Sequence, residues 1–92
     1  MQPTYKLQVL TPQGVAYEAD VVHALVPAED GFVGVLANHA AYVTSSPGGR
    51  FEVKERDGQE KKFRVGLGFF EVARNQALFL TQSFSVEDRP LH

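Results

Sequence analysis

Three histidines have the broadest chemistry of any residues in this chain, because imidazole binds metals and exchanges protons near neutral pH. They are His23, His39 and His92, and their separations of 16 and 53 residues match no compact zinc-binding motif. The chain has no cysteine, which removes thiolate ligands and disulfides. We therefore expect no metal site and interpret His23 as an ordinary strand residue.

Other residues with catalytic potential also lack the arrangement that a reaction needs. Glu29 and Asp30 are adjacent, and neighbours in an extended chain point to opposite sides, so a solvated turn is the better interpretation. The serines lack a Gly-x-Ser-x-Gly frame, and Gly66-x-Gly68 lacks the third glycine of a dinucleotide-binding loop. The sequence predicts no catalytic residue and no cofactor, and ranks a small hydrolase or metal enzyme well below a protein that binds partners.

Length and composition predict one small domain. The 92 residues can build a single modest core, so we expect one domain over residues 1–92. No apolar run approaches 18 residues, and the N-terminus has no basic segment followed by an apolar one. We therefore expect a chain that is neither secreted by this sequence nor membrane-spanning.

Short stretches of alternating apolar residues, separated by turn residues, predict an all-β fold. No segment has a convincing helical period. We expect strands at Tyr5–Leu10, Val15–Tyr17, Val21–Val26 and Phe32–Leu36, with an irregular segment at Asn38–Ser46.

The segment Arg50–Val65 predicts a hairpin whose register follows from matching its faces. A three-residue loop, Arg56-Asp57-Gly58, places Glu55 opposite Gln59. The same register pairs Phe51 with Phe63 on one face. On the other face it pairs Glu52 with Lys62 and Lys54 with Glu60, and each such charge pair is worth roughly 0.2–1 kcal/mol.

Six of the nine basic residues lie between Arg50 and Arg64, although the net charge is −2. The hairpin register explains this cluster as half of a solvated charge ladder. We therefore expect no nucleic-acid binding. Arg50 opposite Arg64 is the one unfavourable pair.

A second hairpin is predicted from Leu67–Ala73 and Ala77–Ser83, with Asn75 in a left-handed turn conformation. Phe69 and Phe70 are adjacent, so both faces of these strands need cover from a loop, the chain's own tail or another protein. A partner protein is favoured. We expect Phe69→Asp to unfold the domain. A carbohydrate-binding module is disfavoured as an alternative function, because the chain has no tryptophan.

Several motifs, in this order and spacing, make the chain similar to the N-terminal β-sandwich of the epsilon subunit of F-type ATP synthases, which is called delta in mitochondria. They are Tyr5-x-Leu7-x-Val9-x-Thr11-Pro12-x-Gly14-x-x-Tyr17, Val22-x-x-Leu25-x-Pro27, Gly31-x-x-Gly34-x-Leu36-x-x-His39-Ala40 with Thr44, and Gly68-Phe69-x-Glu71-Val72-x-x-Asn75.

This resemblance implies a ten-stranded sandwich of two five-stranded sheets in the central stalk of the rotor. It also implies a subunit that couples the c-ring, driven by protons or sodium ions, to the gamma shaft and is not itself catalytic. By the same resemblance, Thr11, His39, Ala40 and Thr44 face gamma. The c-ring side consists of Glu29, Asp30, Gly31 and Phe32.

The resemblance also implies a location and an oligomeric state. We expect a subunit that is peripheral to the cytoplasmic face of the bacterial inner membrane, held there through the complex, and monomeric when isolated. Family members commonly have proline where this chain has Ala41, and a polar or charged residue where it has Phe32, which can therefore contact the ring or turn inward. If the sequence ends naturally at His92, the chain is a short form without the inhibitory C-terminal helices.

Overall fold

The computed structural model describes residues 2–87 and contains only β-strands connected by turns, with no helix in that range. This confirms the all-β prediction. The nine strands are β1 (Tyr5–Thr11), β2 (Gly14–Ala28), β3 (Gly31–Leu36), β4 (Tyr42–Ser46), β5 (Gly49–Glu55), β6 (Glu60–Val65), β7 (Gly68–Ala73), β8 (Gln76–Thr81) and β9 (Phe84–Val86).

The 15-residue strand β2 connects two layers of the fold. Its first half pairs with β1, which continues through β8 and β7 to β4 and forms layer A. Its second half pairs with β3 on one side and with β5 on the other. The order continues from β5 to β6 and β9, and these strands with the second half of β2 form layer B. The expected ten strands in two separate sheets are not confirmed, because the strands form one continuous nine-stranded ladder. If the two halves of β2 are counted separately, each layer contains five strand segments.

Two sequence predictions of strand boundaries were wrong, and one strand was missed. Val15–Tyr17 and Val21–Val26 belong to one strand, which bends through an irregularity between Val21 and His23. The segment expected to be irregular, Asn38–Ser46, contains strand β4. The short strand β9 was not predicted, because it forms only by pairing with β6 far away in the sequence.

Aromatic rings hold the two layers together. The ring of Phe51 in layer B lies 5.2 Å from that of Phe79 in layer A, measured between centroids, and both side chains are fully buried. The buried hydroxyl of Tyr5 on β1 donates a 2.8 Å hydrogen bond to the carbonyl oxygen of Val35 on β3. The layers therefore meet in one hydrophobic core among the described residues.

The hairpin of β5 and β6 has the predicted register. Phe51 pairs with Phe63, and the register sets Glu52 opposite Lys62 and Lys54 opposite Glu60 as expected. The backbone N–H of Glu55 donates to Gln59 across the loop. The unfavourable Arg50–Arg64 pair is offset because the Arg50 guanidinium lies 3.6 Å from Glu52 and 3.3 Å from Glu87. This face is a solvated ladder of mixed charge.

The second hairpin turns at Arg74 and Asn75, which both have positive φ angles, 53° and 62°. This confirms the left-handed conformation expected at Asn75. Phe70 is fully buried, whereas Phe69 points away from the core and is 42% exposed. The core position on which the Phe69→Asp expectation depended therefore belongs to Phe70, because side chains alternate along β7.

Tyr17 connects the first half of β2 to layer B. Its ring packs 4.8 Å from that of Phe63, and its hydroxyl donates a 2.6 Å hydrogen bond to Glu55. Lys61 lies 3.2 Å from the same Glu55 oxygen. Burial, followed by the hydrogen bond and the charge of Glu55, raises the pKa of Tyr17 above its ordinary value.

We expect Phe70→Ala to lower the free energy of unfolding by about 3–5 kcal/mol, because it leaves a cavity in the core. Phe69→Ala, its neighbour on the exposed face, is the matched control and should cost about 1 kcal/mol. Urea denaturation measures both values. Equal losses in the two variants would contradict the assignment of these residues to opposite faces.

We also expect stability to fall in alkaline solution. A raised folded-state pKa means that the neutral Tyr17 hydroxyl stabilises the fold fully below about pH 10, and that this contribution is lost as the pH rises further. Urea denaturation at a series of pH values from about 8 to 11 should show a smaller alkaline loss for Tyr17→Phe than for the parent chain. Identical losses would contradict this assignment.

Candidate functional site

Five apolar side chains lie together on the outer face of layer A, away from the core. We call them the outer apolar patch: Leu10, Val15, Leu67, Phe69 and Leu80. Four of them are exposed, from 42% for Phe69 to 61% for Leu67, and Leu10 is half-buried. An exposed apolar cluster of this kind on a small domain indicates a surface that another molecule covers.

Strand register builds this patch from two separate hairpins, β1–β2 and β7–β8. Leu10 pairs with Val15 on β2 and with Leu80 on β8. Leu80 in turn pairs with Phe69 on β7. Because side chains of directly paired residues lie on the same face, the four residues form one row across four strands.

Gly68 and Thr81 set the close approach of β7 and β8 at the end of this row. A Cβ atom on Gly68 would collide with the backbone carbonyl oxygen of Leu80, so no larger residue fits there without a backbone shift. The buried Thr81 hydroxyl donates a 2.9 Å hydrogen bond to the carbonyl oxygen of Gly66. These contacts hold Phe69 and Leu80 in fixed positions beside a shallow groove, which Leu10, Pro12 and Leu67 also line.

Thr11 adjoins the outer apolar patch. It ends β1 directly after Leu10 and lines the same groove. Its hydroxyl oxygen accepts a 3.2 Å hydrogen bond from the backbone N–H of Gln13, which closes the turn into β2. The structure therefore places this predicted gamma-facing residue at the rim of an apolar surface.

His39 and Ala40 lie at the opposite end of layer A, in the connection that leads into β4. Asn75 holds this connection by accepting a 2.7 Å hydrogen bond from the backbone N–H of Asn38 and donating a 2.8 Å bond to the carbonyl oxygen of Thr4. The His39 imidazole packs edge-on against Tyr42, with 5.9 Å between ring centroids. Its Nδ1 lies 2.7 Å from the carbonyl oxygen of Ala40.

Thr44 occupies the inner side of β4. It pairs with the fully buried Phe70, is half-buried, and donates its hydroxyl hydrogen to the carbonyl oxygen of Ser45 at 2.9 Å. The four residues expected to face gamma therefore do not form one cluster. Thr11 and the pair His39–Ala40 mark opposite ends of layer A, and Thr44 faces between the layers.

Glu29, Asp30, Gly31 and Phe32 form one exposed tip between β2 and β3. Gly31 has a φ angle of 117°, a conformation that side chains rarely adopt, and nothing occupies the space beside it. The carboxylate of Glu29 accepts a 3.0 Å hydrogen bond from the Ser45 hydroxyl of layer A. Phe32 is 59% exposed, so it points outward rather than into the core.

Residues 2–87 contain neither a metal-binding cluster nor a membrane-spanning helix. No group of three or more histidine and carboxylate side chains there is arranged to hold a metal ion. That part of the chain also has no helix that is long and apolar enough to cross a membrane.

Comparison with known proteins identifies the family. Residues 4–86 match the family model described as the ATP synthase, Delta/Epsilon chain, beta-sandwich domain. The chain belongs to this family. That match confirms the resemblance read from the motifs, and it confirms the β-sandwich class.

Curated relatives of this family member are ATP synthase epsilon chains. The chain from Chlorobium limicola is 31% identical over 81 residues, which are 88% of this chain and 92% of the relative. The chain from Bacillus velezensis is 36% identical over 80 residues, or 87% of this chain and 60% of the relative. For Sulfurihydrogenibium the identity is 31% over 85% of this chain and 58% of the relative. The family member thus spans nearly all of one relative and about three fifths of the other two.

Solved structures share the fold. A chain in the cryo-EM structure of the Euglena gracilis mitochondrial ATP synthase, which contains OSCP, F1 and the c-ring, superposes with a TM-score of 0.85 at 20% identity. The match covers 94% of this family member and 56% of that chain. A chain in the central stalk and c-ring structure of the Tetrahymena thermophila enzyme gives 0.74 at 12% identity, over 92% and 68% of the two chains.

Sequence reasoning anticipated an uncovered face on β7 and β8 but missed Leu10 and Val15 as parts of it. The signal for β7 was the adjacent pair Phe69-Phe70, and the signal for β8 was the apolar run Ala77–Leu80. Val15 gave no such signal, because it joins the row only through an irregularity between Val9 and Leu10 in the pairing of β1 with β2.

We expect Asn75→Gly to lower the free energy of unfolding by about 1–3 kcal/mol, because glycine keeps the positive φ angle but removes two hydrogen bonds. Amide hydrogen exchange at Asn38 should accelerate in this variant. Arg74→Gly is the matched control, since Arg74 also has a positive φ angle but is exposed. An unchanged exchange rate at Asn38 would show that Asn75 does not hold the His39 connection.

Proposed function

We propose that this chain is the central-stalk rotor subunit of an F-type ATP synthase and mechanically couples the c-ring to the gamma shaft during proton-driven or sodium-driven ATP synthesis. Membership in the delta/epsilon family supports this function. The observation that carries it is the outer apolar patch, a built surface on a domain whose described residues contain no metal-binding cluster.

The outer apolar patch is the surface that gamma covers in this proposal. Burying exposed apolar area is favourable by roughly 25 cal/mol per Å², and the partly exposed Phe69 and Leu80 supply much of that area. Thr11 lies at one end of this surface, and His39 with Ala40 lies at the other end of the layer. Gamma therefore extends along the outer face of layer A rather than contacting one compact cluster.

Thr44 contributes differently. Because its side chain faces between the layers, it supports β4 rather than contacting gamma through its hydroxyl. The outward residues of the same strand are Val43, which is 58% exposed, and Ser45. In this proposal Val43 is the β4 side chain that gamma meets.

The tip formed by Glu29, Asp30, Gly31 and Phe32 meets the polar loops of the c-ring. Two exposed carboxylates and an exposed aromatic ring provide both charge and apolar contact. The hydrogen bond from Ser45 to Glu29 ties this tip to layer A. Force from the ring is thereby transmitted through the packed core to the gamma-facing surface.

The subunit in this proposal is an accessory, non-catalytic part of the complex and binds no cofactor and no nucleic acid. It is peripheral to the cytoplasmic face of the bacterial inner membrane, where it is held by the ring and gamma. Its 92 residues form one domain, and the isolated chain is a monomer at micromolar concentration.

Co-expression with the gamma subunit of the same genome, followed by size-exclusion chromatography, tests the gamma contact. We expect a stoichiometric complex with the parent chain and at least tenfold weaker binding for Phe69→Asp, because a charge in the middle of a buried apolar contact is costly. Val86→Asp is the matched control, since Val86 is 64% exposed but lies on β9 in layer B. Equal binding by the two variants would remove the outer apolar patch from the gamma contact, and no complex with the parent chain would overturn the proposal.

His39→Asp tests the other end of the surface in the same experiment. We expect a folded variant that binds gamma more weakly than the parent chain, because the new charge replaces an imidazole that packs against Tyr42 on the surface. Circular dichroism and thermal unfolding separate loss of binding from loss of fold. Full binding by His39→Asp would confine the gamma contact to the Thr11 end of the layer.

A further inference from the structure

Strand β3 is an exposed and unprotected sheet edge. It pairs with β2 on one side and with no other strand among residues 2–87. Natural edge strands are usually protected by lysine, proline, bulges or short length, but Gly31–Leu36 has six residues with no charge and no proline. Gly34 is exposed, and because glycine has no side chain, this exposed surface belongs to the backbone itself.

The pairing with β2 determines which backbone groups of β3 point outward. Pro27 has no N–H group and pairs with Phe32, so this pair does not exchange ladder hydrogen bonds. In an antiparallel ladder, bonded and non-bonded pairs alternate, which assigns bonds with β2 to Gly31, Val33 and Val35. The N–H and carbonyl groups of Phe32, Gly34 and Leu36 therefore face away from β2, along the open edge.

The residues with outward backbone groups are arranged symmetrically about Gly34. Valines flank the glycine on both sides, and a large apolar residue follows at each end, Phe32 and Leu36. We propose that two copies of this chain associate edge to edge through β3, as an antiparallel pair with its two-fold axis at Gly34. In this register Gly34 pairs with its own copy, and Phe32 of each copy pairs with Leu36 of the other.

Backbone hydrogen bonds and side-chain contacts both favour this register. Up to about six backbone hydrogen bonds form, because each of the three outward residues exchanges bonds with its opposite residue. Phe32 and Leu36, which are 59% and 58% exposed in the single chain, cover one another twice across the axis. The missing side chain at Gly34 leaves room for the His23 imidazole, whose Nε2 lies 3.2 Å from the position of a Cβ on Gly34.

Charge does not oppose this pairing. The carboxylates of Glu29 and Asp30 precede β3. Antiparallel alignment therefore places them beyond Leu36 of the other copy, so the Glu29 and Asp30 carboxylates of the two copies do not face one another. Strand β4, which is also an edge strand, is less suited to edge-to-edge association. It contains the polar residues Thr44 and Ser45, and Ser45 is already engaged with Glu29.

The association is weak because one strand pair buries far less than the roughly 1,200 Å² of a typical stable interface. We expect a dissociation constant on the order of 1 mM. A monomer at micromolar concentration and a dimer at millimolar concentration are therefore both expected. This state of the isolated subunit does not depend on the proposed role in the central stalk.

Sedimentation velocity of the parent chain, from about 0.02 to 2 mM, tests the association, and two double variants test its register. We expect Phe32→Glu with Leu36→Glu, and separately Phe32→Lys with Leu36→Lys, to be monomeric throughout, because like charges oppose one another in each case. An equimolar mixture of the two variants should dimerise at least tenfold more tightly than the parent chain, because every opposed pair then has opposite charges. Val86→Glu, which changes an exposed valine on β9, should leave dimerisation unchanged.

Amide hydrogen exchange supplies an independent outcome. We expect the Gly34 amide to exchange more slowly as the concentration of the parent chain rises, while the amides of Val33 and Val35 are protected at all concentrations. A parent chain that remains monomeric at 2 mM overturns the proposal. Protection of Gly34 only after gamma is added also overturns it, since the edge then receives a strand of another protein.

Discussion

Strand β2 is the constraint on which the rest of the structure depends. Its 15 residues pair with β1 in layer A and then with β3 and β5 in layer B, so one continuous backbone fixes how the layers cross. The irregularity at Val22 lets Val21 and Val22 both enter the interior. Once this strand bends, Phe79 and Phe51 face one another and Tyr17 reaches the β6 side of layer B.

Buried aromatic packing and an exposed apolar surface agree with the mechanical role proposed above. The core is closed by fully buried aromatic side chains, while the outer face of layer A keeps Phe69 and Leu80 partly exposed. A protein partner that covered this surface would remove apolar area from water, which is favourable. The exposed tip at Glu29 and Asp30 lies on the opposite layer's hairpin and is linked back to layer A through Ser45.

Edges of the sheet differ in how they are protected. The edge at β9 is only three residues long. The edge at β4 is polar and tied to the β2–β3 tip through Ser45. β3 alone of these three combines six residues, an apolar composition and an exposed glycine backbone. The physical consequence is a row of backbone donors and acceptors that only water satisfies in the single chain.

The sequence by itself determined the features that depend on neighbouring residues and on matching the faces of paired strands. The three-residue loop ending in Gly58 set the β5–β6 register, Asn75 marked a left-handed turn, and ordered motifs from Tyr5 to Asn75 revealed the family. Only tertiary structure decided which of the adjacent Phe69 and Phe70 faces the core and that β2 is continuous. It also decided that Val15 and Leu80 share a face, because such contacts depend on pairings between segments far apart in the chain.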